Sequence, residues 1–107
     1  MSTCGFTTRV VHSDRRKSIE HGALHKPVHT SIPFGYADSR ELAGVFQGEQ
    51  AGFTYARNGN PTASALEEKL TAMEDGVASV TFGSGMSAIA GTVFSLLRSG
   101  DHVVSSR

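Results

Sequence analysis

The 107-residue sequence has no tryptophan, one cysteine and three prolines, and its ten acidic residues cancel its ten basic ones. Each shortage excludes something. A lone cysteine, Cys4, leaves no internal disulfide framework and no cysteine cluster for zinc, and it fits a reducing cytosol. Zero net charge leaves no sequence-wide field to draw the chain to nucleic acid or to an anionic membrane. The one basic cluster, Arg15-Arg16-Lys17, is flanked by Asp14 and Glu20 and reads as a solvated turn. The opening MSTCGFTTRV lacks the apolar centre of a signal peptide, and no apolar run reaches bilayer-spanning length. These absences point to a soluble cytoplasmic chain of one modest domain that binds neither nucleic acid nor membrane.

What is present divides near Gly59. Residues 1–59 are rich in Gly, His, Ser and Thr and read as an extended N-terminal arm with turns. One short helix is expected there, Ser39 to Phe46, with Asp38 as N-cap and Glu41 three residues on in a box-like pattern. An arm that buries so little of itself is expected to lie on another subunit or on further chain.

From Asn60 onward the signals sharpen. Asn60 suits an N-cap and Pro61 the first helical position, where its missing N–H costs nothing. Leu66, Leu70 and Met73 make one apolar stripe, Glu67, Glu68 and Lys69 face outward, and Gly76 is the expected stop. VASVTF (77–82) reads as a strand, Met86 to Arg98 as a helix with Gly100 past its end, and HVVSS (102–106) as a second strand. That alternation is the grammar of an α/β fold with a mainly parallel sheet. Two strands do not make a stable sheet, so the sequence reads as the front portion of a larger protein, with 60–107 the start of a truncated large domain.

Between the first strand and its helix lies Gly83-Ser84-Gly85. The glycines permit positive φ and close approach of a ligand, and the helix's first N–H groups form a seat for an anion such as phosphate. Ser84 and Ser87 each offer a hydroxyl. A Walker loop fails for want of Gly-Lys-Ser/Thr, and a nucleophile elbow fails on Phe82 and Met86. Gly83, Gly85 and Ala88 do satisfy the dinucleotide fingerprint G-x-G-x-x-A, although the second strand ends in Ser105-Ser106-Arg107 rather than an acid. A nucleotide site and a glycine turn that binds nothing both stay open on this motif alone.

A second cluster is GFTYARNGNPT (52–62). If extended, it points Tyr55 and Arg57 the same way, so that both reach one anion. Together with MEDGVASVTFGSGMSAI (73–89), KPVHTSIPF (26–34) and GDHVVSS (100–106), it strongly resembles the pyridoxal-phosphate (PLP) enzymes of cysteine and methionine metabolism. The group includes cystathionine γ-synthase, O-acetylhomoserine sulfhydrylase, cystathionine γ-lyase and methionine γ-lyase. The resemblance implies the aminotransferase-like fold type I, with an N-terminal arm leading into a large PLP-binding domain. It implies that the amides of Gly85 and Met86 bind the cofactor phosphate. It further implies that Tyr55 and Arg57 reach that phosphate from the neighbouring subunit of a dimer, within a tetramer.

The Schiff-base lysine of such enzymes is expected beyond Arg107, because Lys17, Lys26 and Lys69 lack its Ser-x-Thr-Lys-like setting and Lys69 sits on a solvated helix face. The ring-stacking aromatic, the aspartate for the pyridine nitrogen and the arginine for the substrate carboxylate are also expected further on. The chain alone is therefore expected to be inactive, with no catalytic residue of its own. The whole is expected to perform γ-replacement on an activated homoserine in methionine and cysteine metabolism, with γ-elimination from methionine or cystathionine as the alternative. Two readings of other classes are an NADP-dependent oxidoreductase using G-x-G-x-x-A and a non-catalytic oligomerisation segment. His21, His25 and His29 recur every fourth residue, but Gly22 and Pro27 interrupt any common helix, so no metal site is expected.

Overall fold

The computed structural model describes residues 5–16 and 18–106, which form four helices: α1 (Phe6–His12), α2 (Ser39–Phe46), α3 (Pro61–Met73) and α4 (Gly85–Leu96). Short 3-10 turns lie at Ser13–Arg16 and Glu20–Gly22. The expectations placed on Cys4, Lys17 and Arg107 fall outside the described residues.

Two helix starts follow the sequence directly. Asp38 accepts the Arg40 N–H at 2.8 Å and opens α2, although no return bond from Glu41 occurs among the described residues. Asn60 accepts the Thr62 N–H at 2.8 Å ahead of Pro61 and opens α3. The Asn60 amide also donates to the His29 carbonyl at 3.3 Å, while the Thr62 hydroxyl accepts the His29 N–H at 2.8 Å. The start of α3 thus doubles as the anchor for the segment around His29.

The end of α3 differs from expectation. Asp75, not Gly76, takes the left-handed conformation (φ 49°), and the Gly76 N–H returns to the Thr71 carbonyl at 3.0 Å. Asp tolerates this region better than most residues, and here its side chain has a second role. The Asp75 carboxylate pairs with the Arg9 guanidinium of α1. That bond holds the Asp75 carboxyl below its ordinary range and raises Arg9. α1 and the turn at Ser13 pack on α3, and Ser13 is buried there with its hydroxyl donating to the Val10 carbonyl at 3.2 Å. The arm was not expected to hold this helix: α1 has no side-chain cap and no acid in its first turn, so nothing local announces it.

The two expected strands are absent among the described residues. Segments 77–82 and 102–106 lie in no ladder, and the β-pairing present is an isolated antiparallel bridge between Pro33 and Tyr55. A strand needs a neighbouring backbone edge, and none runs beside either segment. Their apolar side chains stand open, Val80 at 73% and Val104 at 98% exposure. The α3 stripe is open too, with Leu66 and Leu70 exposed and no apolar side chain fully buried among the described residues. α4 starts one residue earlier and ends two residues earlier than the pattern suggests. Beyond it, the Asp101 carboxylate accepts the Arg98 N–H at 2.7 Å and Gly100 takes φ 99°.

Candidate functional site

Two places were expected to matter, and each is built by short-range bonds. The first is the turn that follows the Pro33–Tyr55 bridge. The Phe34 N–H donates to Thr54 at 3.1 Å and the Ala56 N–H to Ile32 at 2.8 Å, so 32–34 and 54–56 run side by side. The Tyr36 hydroxyl donates to the Phe53 carbonyl at 2.9 Å and accepts the Phe53 N–H at 3.1 Å, and the Phe34 and Phe53 rings meet at 5.6 Å. The chain then turns back: the N–H groups of Asn58 and Gly59 both reach the Tyr55 carbonyl, at 2.9 and 3.1 Å.

Tyr55 and Arg57 therefore do not alternate along an extended strand. They come together all the same, because the turn lays the Arg57 guanidinium carbon 5.0 Å from the Tyr55 ring centroid. A cation over an exposed ring is worth about 0.5–1 kcal/mol, enough to bias the orientation of the fork without satisfying its donors. Arg57 has no carboxylate partner among the described residues. It is an exposed cation aimed by an aromatic ring, with its N–H groups free for an anion.

The second place is the start of α4. Ser84 is the N-cap, and it forms a reciprocal box with Ser87. The Ser87 N–H donates to Ser84 Oγ at 3.2 Å, the Ser84 N–H donates to Ser87 Oγ at 3.1 Å, and the Ser87 hydroxyl lies 2.7 Å from the Ser84 carbonyl that accepts its proton. The two hydroxyls are turned on the helix itself instead of standing out as ligand donors. What they leave uncovered are the N–H groups of Gly85 and Met86, which precede the first intrahelical bond. Gly83 and Gly85 do not use the left-handed region that glycine permits. Their use is bareness: a Cβ on either would meet nothing within 4 Å, so the approach to the two amides is open. An exposed helix terminus with bare glycines fits an anionic, phosphate-sized group.

The two places do not meet in one cavity. Arg57 lines an open cleft of ≈ 470 Å³ together with Asn58, Asn60, Glu67, Val80 and Thr81, and Gly83–Met86 lie outside it. The opposite wall of that cleft corrects another reading. Glu67 does not face solvent; its Oε1 accepts the Thr81 N–H at 2.9 Å and the Thr81 hydroxyl at 2.9 Å. Lys69 is half-buried beside His25, Lys26, Ala65 and Leu66 rather than on a fully solvated face.

The histidines separate. His21 sits in a left-handed turn (φ 55°), whereas His29 is fixed by its backbone and places Nε2 3.9 Å from Glu20. The Glu20 carboxyl is held below its usual range, first by its own backbone N–H. No group of three His, Cys, Asp or Glu residues suited to a metal occurs among the described residues. No helix among them is long and apolar enough to cross a membrane.

Comparison with known proteins agrees with the sequence motifs. Residues 7–107 match the model of the family described as Cys/Met metabolism PLP-dependent enzyme. An L-methionine gamma-lyase of Pseudomonas deceptionensis is 42% identical over 103 residues, covering 96% of this chain and 26% of the relative. A cystathionine gamma-synthase of Mycobacterium bovis is 40% identical over 100 residues, covering 94% of this chain and 24% of the relative. Among solved structures, the crystal structure of metB from Corynebacterium glutamicum matches with TM-score 0.77 and 32% identity, over 94% of this chain and 24% of that one. The chain thus spans about a quarter of the length of these relatives.

Proposed function

The chain belongs to the Cys/Met metabolism PLP-dependent enzyme family, and from that premise we propose that its two exposed clusters are the two halves of the seat for the cofactor's phosphate. The observation that carries this reading is the pairing of unclaimed donors with an open approach. The Gly85 and Met86 amides are left over by the Ser84–Ser87 box, and the Arg57 guanidinium has no acid to neutralise it among the described residues. Either half alone is an ordinary surface feature. Together they offer two backbone N–H groups and a planar cationic fork, the donor set a dianionic phosphate takes.

The geometry supports a division of labour. The Gly85 and Met86 N–H groups would hold the phosphate at the start of α4, where the helix dipole favours negative charge. Tyr55 steadies the Arg57 fork, and the Tyr55 hydroxyl and guanidinium close on the remaining oxygens. Because the cleft lined by Arg57 leaves out Gly83–Met86, the reading is that Arg57 of one copy serves the α4 terminus of another, in a dimer that shares its sites. Pyridoxal phosphate bound there supplies an electron sink for amino-acid chemistry. The matching fold reading is the start of a type I parallel-sheet domain, in which 77–82 and 102–106 would find the neighbouring edges that the described residues do not supply.

The substrate class we infer is a sulfur-containing or activated C4 amino acid reacting at its γ-carbon, the position named in both the lyase and the synthase relatives. A lyase needs methionine alone, whereas a synthase needs an activated homoserine and a thiol nucleophile, so paired assays on the protein bearing this chain separate the two. The test of the seat is Gly85→Pro. Proline suits the first helical position but carries no N–H, so helix content should stay unchanged. Retention of pyridoxal phosphate, followed by its visible absorbance during dialysis, should fall about tenfold, the worth of one charge-assisted bond. Unchanged retention would remove α4 from the site.

A further inference from the structure

We propose that Glu67 is the positioning residue of this phosphate seat, acting through Thr81 on the turn that delivers Gly85 and Met86; the inference rests on the function proposed above. Segment 77–82 has no ladder to hold it, yet it must enter the glycine turn at a fixed height and angle if the two amides are to face an anion together. Among the described residues, side-chain bonds from α3 are what hold it.

The bonds that do so converge on one face of α3. Glu67 Oε1 accepts both the backbone N–H and the hydroxyl of Thr81, each at 2.9 Å, two residues before Gly83. One turn further along the same helix face, the Thr71 hydroxyl lies 2.9 Å from the Ser79 hydroxyl and 2.7 Å from the Glu67 carbonyl. Two residues of the segment, 79 and 81, are thus tied to two residues of α3 one turn apart, a spacing that resists both sliding and rotation. On the other side the Phe82 ring lies against Gly91 of α4 so closely that a Cβ there would stand 2.8 Å from it. The segment is held by α3 on one side and lies against α4 on the other, and Glu67 supplies a carboxylate that bonds it directly.

The same carboxylate has a second consequence. Glu67 and Arg57 line one cleft, yet they form no ion pair. Oε1 is engaged by the two Thr81 donors and Glu67 makes no pair with Arg57, which leaves the guanidinium available to an anion. Glu67 therefore serves the seat without touching what sits in it.

The test uses the complete cofactor-loaded protein with four variants, Glu67→Ala, Glu67→Gln, Thr81→Val and Arg57→Ala, read by dissociation of pyridoxal phosphate and by amide hydrogen exchange at 84–88. Glu67→Ala should raise the dissociation constant about tenfold and speed exchange at those amides, because both Thr81 bonds are lost. Thr81→Val keeps the N–H bond and should lose about threefold. Glu67→Gln retains an oxygen that accepts both bonds and should bind within about twofold of the parent. A merely structural role would lower the melting temperature of the alanine variant without changing cofactor affinity, and that result overturns the proposal. So does failure of glutamine to rescue a folded protein. If Glu67→Ala does not fold, Thr81→Val decides alone, and parental affinity and exchange in it overturn the proposal. If Arg57→Ala binds normally, the phosphate seat itself is wrong; if Arg57→Ala loses cofactor while the Glu67 and Thr81 variants keep it, only the positioning role is.

Discussion

The arm and the helices that follow it are held by different means. From Pro27 to Asn60 the chain is fastened by side chains reaching distant backbone: Tyr36 to Phe53, Asn60 to His29, Thr62 to His29. From Asn60 onward each helix closes its own ends through neighbours two to five residues away, yet leaves its apolar stripe open. The contrast teaches that a helix can be delimited by its caps before anything covers it, whereas the non-helical stretches of the arm must be tied point by point. Arg57 belongs to the tied region and the α4 terminus to the capped one, so the phosphate seat we propose joins both modes of construction.

The largest effect that separates the regions should come from the tied side. Arg57→Ala removes one or two charge-assisted bonds worth about 1.5–3 kcal/mol each, so cofactor retention should drop at least about tenfold. Arg98→Ala, which removes an exposed cation beyond the end of α4, should leave it unchanged. Equal effects in a dialysis comparison would erase the distinction.

Asn60→Ala strikes the joint between the two regions. It deletes the cap of α3 and the bond to His29 at once, and should cost about 1–2 kcal/mol of stability in denaturant unfolding. Asp38→Ala deletes a cap whose other contact, the adjacent Ser39 hydroxyl at 3.5 Å, is local and long, and should cost about 1 kcal/mol. Equal losses would show that the His29 tie contributes nothing.

The smallest effect concerns Arg9 and Asp75, which clip the first helix to the end of α3. Asp75 titrates below its ordinary value in the folded chain, so the pair's contribution is present above that ordinary value and disappears as pH falls through the depressed one. Both groups are exposed, so the acid-side loss in melting temperature should be slight and weaker still at high salt. Arg9→Gln should remove that part of the pH dependence.

How much of this was legible in the sequence depends on the range of the bonds involved. Asp38, Asn60 and Pro61 could be read because a cap speaks to residues two or three away. The turn at Gly83 to Met86 could be read as a helix start for the same reason, and its use as an anion seat is what we propose. The first helix could not, because its anchor, Asp75, lies 66 residues from Arg9 and nothing at Gly5 or Phe6 signals a start. Glu67 was misread as a solvated residue because its partner Thr81 comes 14 residues later, across the end of α3. The hydroxyls of Ser84 and Ser87 were read as available to a ligand, whereas each accepts the other residue's backbone N–H. VASVTF has the composition of a strand, but composition does not supply the adjacent edge a ladder requires. The pairing of Tyr55 with Arg57 was anticipated for the wrong reason, a turn and a cation over a ring having taken the place of strand alternation.

The account depends on Arg57 and the α4 terminus serving one phosphate from two different copies, and mixing variants tests this most directly. Arg57→Ala subunits and Gly85→Pro subunits, each in the protein bearing this chain, should bind pyridoxal phosphate poorly on their own. Co-assembled from denaturant, mixed dimers should regain one tight site each, because one copy keeps an intact Arg57 and the other an intact Gly85 amide. If the mixture binds no better than its separate components while parental protein refolds to full binding, the halves do not meet across copies and the shared site is refuted.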